Sequence, residues 1–520
     1  MKIESPATFA SQAASSQEHF ETDHLLSNLK GHTISSGVVA LSAQGAKFFL
    51  NLASTMALAR LLMPRDFGLV AMVTTVAGFL RVFKDAGLSV ATVQSEKITQ
   101  AQVSNLFWIN VAVSAACTLI LAVAAPLVAG FYNDQRLIQI TLLLSATFLI
   151  SGSTVQPQAL LKRQMRFKAL AIIEVSSMAV GVVIGVLMAL LGFGYWSLVA
   201  LALSIETAGL LLTWSISRWR PQLPVRHSGT GPLLRFGIHR TAADFISSLS
   251  RGVDNLLIGR FYGAVSVGLY SRANGLLVRP LELFLSPISA VFLPAFSRLQ
   301  SQPERYRAAF LRVYEAILLM DFLFAGLLLS VARPVTLVIL GPKWEQAAII
   351  FQGFTFAALS LPLANAAAWL LVSQGRGRDM LVAQSINSCA KVLSFVAGLP
   401  YGAVGVAIAY SAYSLLVRVP IWYFMVGQTG PVRTADLWTV FFRHLPVWIV
   451  VSAATWLTLW LVGNFTPLAQ LLICMLGGFL AGAVFICMFK SQRRVAIRLW
   501  GILQELRKNR RQNDGKDARP

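Results

Sequence analysis

The chain has 520 residues, with 44 Lys+Arg against 22 Asp+Glu for a formal net charge of +22, and it is 56% hydrophobic and 13% charged with a mean hydropathy of +0.65. A soluble chain this long has roughly a quarter of its residues charged, so a multidomain soluble protein is excluded. Nucleic-acid binding is excluded as well, because the basic residues punctuate long apolar stretches instead of forming a charged, water-facing surface.

Residues 1–33 hold Glu4, Glu18, Glu21 and Asp23 and lack a basic patch ahead of a short apolar core. They read as a polar, disordered cytoplasmic segment and not as a secretory signal. An α-helix needs about 20 apolar residues to cross a hydrocarbon layer of roughly 30 Å. On that template, spans fall near 34–62, 67–93, 104–131, 137–157, 170–191 and 195–217. A polar segment, Arg218 to Thr230, interrupts the pattern. Further spans fall near 233–260, 265–296, 310–332, 346–372, 380–400, 402–427, 445–463 and 467–489. The expected fold is an all-α polytopic membrane protein with about fourteen transmembrane helices. Its parts are an N-terminal six-helix bundle over 34–217, a cytoplasmic linker over 218–232 and a C-terminal six-helix bundle over 233–427. An additional transmembrane helix pair over 428–489 and a basic cytoplasmic tail over 490–520 complete it. The runs are too long and too uniformly apolar for the alternating strands of a β-barrel.

Lys and Arg cluster after every second span, at Lys162, Arg163, Arg166 and Lys168, at Arg218, Arg220 and Arg226, at Arg298, Arg305 and Arg307, at Arg376 and Arg378, and at Arg433 and Arg443. The connections after the fifth, eleventh and thirteenth spans have none. The positive-inside rule therefore puts both termini in the cytoplasm and makes the net charge mostly a topology signal. In the tail, Val495, Leu499, Ile502 and Leu506 recur at helical spacing among Arg494, Arg498 and Arg507, the pattern of an interfacial helix lying on membrane lipid.

An internal repeat is visible. Ala59-Arg60 followed by Gly68-Leu69 recurs as Gly259-Arg260 followed by Gly268-Leu269, between the first and second spans of each half. A weaker echo sets Gly194-Tyr195-Trp196-Ser197 against Gly402-Ala403-Val404-Gly405. With an even number of spans per unit, both copies insert the same way round, as in transporters built from parallel repeats.

The chain carries no GxxxxGK[ST], HExxH or GxSxG motif, and its four cysteines have no CxxC spacing or clustered His, so neither an ATPase nor a metal site is expected. No outside connection is long enough for a polymerase or glycosyltransferase site; the longest lies near 333–345. A carrier, not an enzyme, is the expectation, with no cofactor beyond a coupling ion, H+ or Na+.

Ionisable residues inside apolar spans are costly unless they face a cavity or a partner. The cations are Lys47, Arg81, Lys84, Arg240, Arg251, Arg272, Arg279, Lys391 and Arg418; the acids are Asp85, Glu174, Glu206, Asp244, Asp254, Glu282 and Asp321. Arg81 with Asp85, Arg240 with Asp244, Arg251 with Asp254 and Arg279 with Glu282 are spaced as helical ion pairs. Lys47, Arg272 and Lys391 have no such neighbour and need a lumen, a distant partner or an anion. Arg272, Lys47, Arg81, Arg240, Arg251 and Lys391 are the candidates for binding an anionic group such as phosphate. Asp254, Asp244 and Glu206, with Asp321 behind them, are the ion-coupling candidates.

Several stretches resemble the polysaccharide transporter family. They include Leu62-Met63-Pro64-Arg65-Asp66-Phe67-Gly68-Leu69, Gln156-Pro157 through Leu160-Leu161-Lys162-Arg163-Gln164-Met165-Arg166-Phe167 and Gly194-Tyr195-Trp196-Ser197-Leu198-Val199. Asp254-Asn255-Leu256-Leu257-Ile258-Gly259, Leu269-Tyr270-Ser271-Arg272-Ala273, Phe292 to Gln300 and Gly341-Pro342-Lys343-Trp344 complete the set. The resemblance is to Wzx-like oligosaccharide flippases of the multidrug/oligosaccharidyl-lipid/polysaccharide exporter superfamily and spans about residues 35–425. It implies two pseudo-symmetric bundles around a cationic central cavity. It also implies that an undecaprenyl-pyrophosphate-linked oligosaccharide is turned across a bacterial inner membrane by alternating access, for exopolysaccharide, capsule or O-antigen synthesis. A polysaccharide polymerase and chain-length machinery are implied as partners, and Arg272, inside a family-like segment, as a pyrophosphate contact. The competing expectations are a drug or organic-cation antiporter, which would show an excess of intramembrane acids, and a membrane polymerase or ligase.

Overall fold

A computed structural model describes residues 29–85, 87–95, 97–225, 230–231, 250–501 and 504. Among them there is no strand, and ten helical runs are long and apolar enough to cross a membrane. The protein is a multi-pass membrane protein. Contacts divide it into two compact units, Met1–Gly268 and Leu269–Pro520.

In the first unit, α1 (Leu29–Leu61) is followed by α2 (Pro64–Asp85), α3 (Leu88–Gln94), α4 (Gln100–Val123) and α5 (Ala125–Tyr132). Then come α6 (Arg136–Gly152), α7 (Val155–Arg163), α8 (Phe167–Leu190) and α9 (Trp196–Ser217). Helix α10 (Val253–Ser297) begins here, turns sharply at Gly263, where φ is 74° and ψ −176°, and continues into the second unit. The second unit adds α11 (Pro303–Ile339), α12 (Glu345–Ala358), α13 (Leu361–Ser373), α14 (Gly377–Gly398), α15 (Gly402–Tyr413), α16 (Val419–Gln428), α17 (Thr434–Leu461) and α18 (Pro467–Met488). Short 3-10 turns at Pro342–Trp344 and Leu399–Tyr401 and a π turn at Ser414–Arg418 join some of them.

The expected spans near 67–93, 104–131, 137–157 and 346–372 are broken helices, the second made of α4 and α5 and the last of α12 and α13. The span near 67–93 stops at Asp85 and restarts at Leu88 after Gly87, whose φ of 66° ends the first piece in the left-handed region. The span near 137–157 is α6 plus α7, which continues to Arg163. Helix α1 starts at Leu29, inside the segment expected to be disordered.

Lipid cannot drive apolar side chains together, so these helices pair through small residues that let backbones approach. On α8, Ser177, Gly181, Gly185 and Ala189 form the buried stripe, and a Cβ at Gly181 would run into Ile205 of α9. On α18 the buried residues are Gln470, Cys474, Gly478 and Gly482, while Leu472, Leu476, Phe479 and Leu480 are exposed. That is the inverse of a water-soluble helix: small residues face protein and large apolar ones face lipid.

The first part of the expected linker is a strap bound to α4. Trp219 is buried between Phe107 and Trp214 and donates to Gln100 Oε1 at 2.7 Å. Asn105 both donates to the Val225 carbonyl at 2.7 Å and accepts from its N–H at 2.9 Å. Trp108 donates to the Gln222 carbonyl at 2.9 Å.

The repeat is written into the backbone. Gln164, Met165 and Arg166 donate to the carbonyls of Leu160, Lys162 and Leu161, and Gln374, Gly375 and Arg376 donate to those of Leu370, Val372 and Leu371. Met165 and Gly375 both occupy the left-handed region, at φ 54° and 70°. Each closes a helix with the same cap.

Candidate functional site

The cations expected to bind an anion lie on helices whose ends are held by polar networks. In the first unit, Arg81 and Lys84 sit at the end of α2, just before its break. The freed carbonyls of Lys84 and Asp85 accept from Asn110 Nδ2 at 3.2 and 3.1 Å. Asn110 Oδ1 accepts from Gln156 Nε2 at 2.9 Å, and Gln156 Oε1 accepts from Thr92 at 2.8 Å. Asn110, Gln156 and Thr92 are fully buried, so the network fixes the broken end from inside the unit. Arg163 donates to the Thr92 carbonyl at 3.3 Å and also bonds the Ser95 carbonyl.

The pairing of Arg81 with Asp85 expected from their spacing is replaced by a cap. Asp85 accepts from the Ser89 N–H at 2.9 Å and from its hydroxyl at 2.5 Å, holding the first turn of α3. Arg81 is exposed, and Lys84 lies within electrostatic reach of Glu206 on α9. Lys47 of α1 finds a partner on another helix: its Nζ is 2.6 Å from Glu174 Oε2 on α8, and both side chains stay partly exposed. Arg251 is exposed, and Asp254 is buried, accepting from the Asn255 N–H at 2.9 Å at the start of α10. Arg240 and Asp244 lie outside the described residues.

In the second unit, Arg272 is half-buried on α10, and the Arg279 guanidinium two turns further along bears on it electrostatically. Glu282 in turn acts on Arg279, so this face of α10 has a surplus of one positive charge. Two like charges on one helix face suit a group with several anionic oxygens. Lys391 of α14 lies over two rings, 5.4 Å from the Phe395 centroid and 5.7 Å from that of Tyr410. A cation–π arrangement thus partners the cation that had no acidic neighbour in the sequence.

Among the described residues no group of His, Cys, Asp and Glu could hold a metal ion. Cys117 and Cys474 are buried and Cys389 and Cys487 exposed. Outside the spans, the Arg136 guanidinium bonded to Asp134 holds that carboxyl below the usual carboxylate range. The Asn110, Gln156 and Thr92 network was not foreseen; the signal available was Gln156-Pro157 inside an apolar run, where a buried amide needs partners.

The family described as "Polysaccharide biosynthesis protein" matches residues 57–349. The teichuronic acid biosynthesis protein TuaB of Bacillus subtilis (strain 168) is 27% identical over 57% of this chain and 62% of its own. The succinoglycan biosynthesis transport protein ExoT of Rhizobium meliloti (strain 1021) is 30% identical over 62% of this chain and 65% of its own. The chain thus spans less than two thirds of the length of these two relatives. Among solved structures, the lipid II flippase MurJ in an inward closed conformation shares the fold, with a TM-score of 0.67 at 15% identity over 87% of this chain and 98% of that one.

Proposed function

As the chain belongs to the polysaccharide biosynthesis protein family, we propose that it is a flippase for oligosaccharides linked to a polyprenyl pyrophosphate. It moves these repeat units across the bacterial inner membrane for exopolysaccharide, capsule or O-antigen synthesis. Both termini are in the cytoplasm, and the chain performs no covalent chemistry on its cargo. The transport and biosynthesis names of the relatives and the flippase name of the structural neighbour support the reading.

The observation that carries it is the pair of guanidiniums on one face of α10, Arg272 and Arg279. A pyrophosphate offers both several oxygens and enough charge to offset them, and Arg binds phosphate through paired N–H donors. Arg81 and Lys84, held at the fixed end of α2, present a second cationic site for the same group. A drug-cation carrier would gain nothing from either.

The test uses purified protein in liposomes with a labelled polyprenyl-pyrophosphate oligosaccharide, following label that becomes protected from an external glycosidase. Arg272→Ala removes charge-assisted hydrogen bonds of about 1.5–3 kcal/mol, so the rate should fall roughly ten- to a hundredfold, with Arg272→Lys between the two. Unchanged rates in Arg272→Ala and in Arg81→Ala with Lys84→Ala would remove the pyrophosphate contact. Movement of organic cations in place of the glycolipid would place the protein with drug carriers.

A further inference from the structure

Among the described residues of the second unit, two ionisable side chains have polar atoms that are all buried and without a hydrogen-bond partner: Asp321, 5% exposed, and His444, 0% exposed. They lie on α11 and α17, which pack side by side and run parallel. Arg307 pairs with Asp436, Glu315 with Arg443, and Ser330 with Thr455 in rising order along both helices.

We propose that Asp321 is a proton-binding site and that its loading and release couple the transport cycle to a proton gradient. The proposal rests on the transport reading and adds to it the coupling ion and its site, which differs from Asp254, Asp244 and Glu206.

Its neighbours along α11, Ile317, Leu318, Phe322 and Ala325, are all buried. Phe322 is closed over by Phe441 of α17, with ring centroids 5.5 Å apart. A carboxylate removed from water needs hydrogen bonds or a cation, and otherwise carries a proton. The charges on the elements packed against α11 are used elsewhere. At one end, Arg307 holds Asp436 at 2.5 Å, and Glu315 lies between Arg443 at 3.0 Å and Arg498 at 3.6 Å. At the other, Arg333 holds Glu345 of α12 at 2.6 Å, near Lys343. Helices α13 and α18 have no Asp, Glu, Lys, Arg or His. The groups left facing the middle of α11 are His444 and the hydroxyls of Tyr314 and Tyr423, which bond each other within electrostatic reach of Asp321.

The site is therefore closed and loaded, with the carboxyl neutral. When α11 and α17 shift so that water reaches Asp321, its O–H bond breaks. The proton passes to water and the carboxylate remains, hydrated. Differential stability of the two conformations with and without that proton is what links the gradient to the cycle.

Two arms test this on the full-length protein in liposomes. The first is infrared difference spectroscopy across a pH titration with no substrate present. Wild type should show the C=O band of a protonated carboxyl that Asp321→Asn and Asp321→Leu both lack. The second is glycolipid movement with and without an imposed pH gradient. Wild type should be accelerated, whereas Asp321→Asn should lose about tenfold of that acceleration. Asp321→Leu, which suits a dry helix contact, serves if the amide fails to fold. An Asp321-dependent band missing from wild type, or a gradient response that survives in both variants, overturns the proposal. Because the infrared arm needs no cargo, a protein that moves no glycolipid would defeat the transport reading and still leave the proton site decided by the band.

Discussion

Asp134 accepts from the Arg136 N–H at 3.1 Å, from its Nε at 2.9 Å and from its Nη2 at 2.5 Å, in the short connection before α6. The guanidinium keeps this carboxyl below its ordinary range. The carboxylate's pKa is thus lower in the folded chain, and the stability it contributes is complete above the unfolded value and disappears as pH falls through the folded one. For a pair this exposed the contribution is at most about 1 kcal/mol. Arg136→Ala should therefore melt slightly below wild type at neutral pH and match it once the pH has fallen below the lowered range of the folded carboxyl, where Asp134 is protonated in both. A difference that persisted in acid would mean Arg136 acts through packing. Residue types were legible in the sequence, but their partners often were not. Helical spacing exposes neighbours on one helix, whereas Lys47 meets Glu174 across 127 positions. Spacing also suggested Arg81 for Asp85, because nothing in the hydropathy announces that α2 ends there and that Asp85 is needed as a cap.

The breaks in α2–α3 and α6–α7 were invisible for the same reason: an apolar run has one hydropathy whether or not its hydrogen-bond ladder is interrupted. What marks a break is the polar residue that satisfies the freed backbone, here Asn110 donating to the Lys84 and Asp85 carbonyls. The repeat motif around Gly68 and Gly268 was legible, and its reason is spatial. A Cβ on Gly68 would collide with the Ala264 carbonyl, and one on Gly268 with the Pro64 carbonyl, so the two copies of the turn meet reciprocally in the first unit. The matched helix caps make a sharper prediction. Met165 holds the left-handed conformation that Gly375 adopts in the other copy, at a steric cost of about 1–2 kcal/mol for an L-residue. Met165→Gly should raise the thermal midpoint of the purified protein, since glycine's extra unfolded freedom offsets only part of that. Gly375→Met should lower it. A fall in both variants would show that the Met165 side chain has packing worth more than its strain.

Alternation of basic and neutral connections along the whole chain is the one signal that the sequence displays more clearly than the fold does, because it reflects insertion and not packing. It puts the α8–α9 turn outside and the α10–α11 connection inside, and the structure gives both turns the exposure needed to check this. Leu191, 74% exposed, follows α8, and Ser301 is exposed between α10 and α11. Cys389 and Cys487 are exposed and have to be replaced first, whereas Cys117 and Cys474 are buried and can stay. In that background, Leu191→Cys should react with a membrane-impermeant maleimide in intact spheroplasts, and Ser301→Cys only after the membrane is opened. The reverse pattern would invert every connection and turn the basic tail outward, against the charge asymmetry. Labelling of both in intact cells would mean that the chain inserts in two orientations. Only the expected pattern leaves Arg376, Arg433 and Arg443 on the cytoplasmic side, from which the proposed flippase would load its cargo.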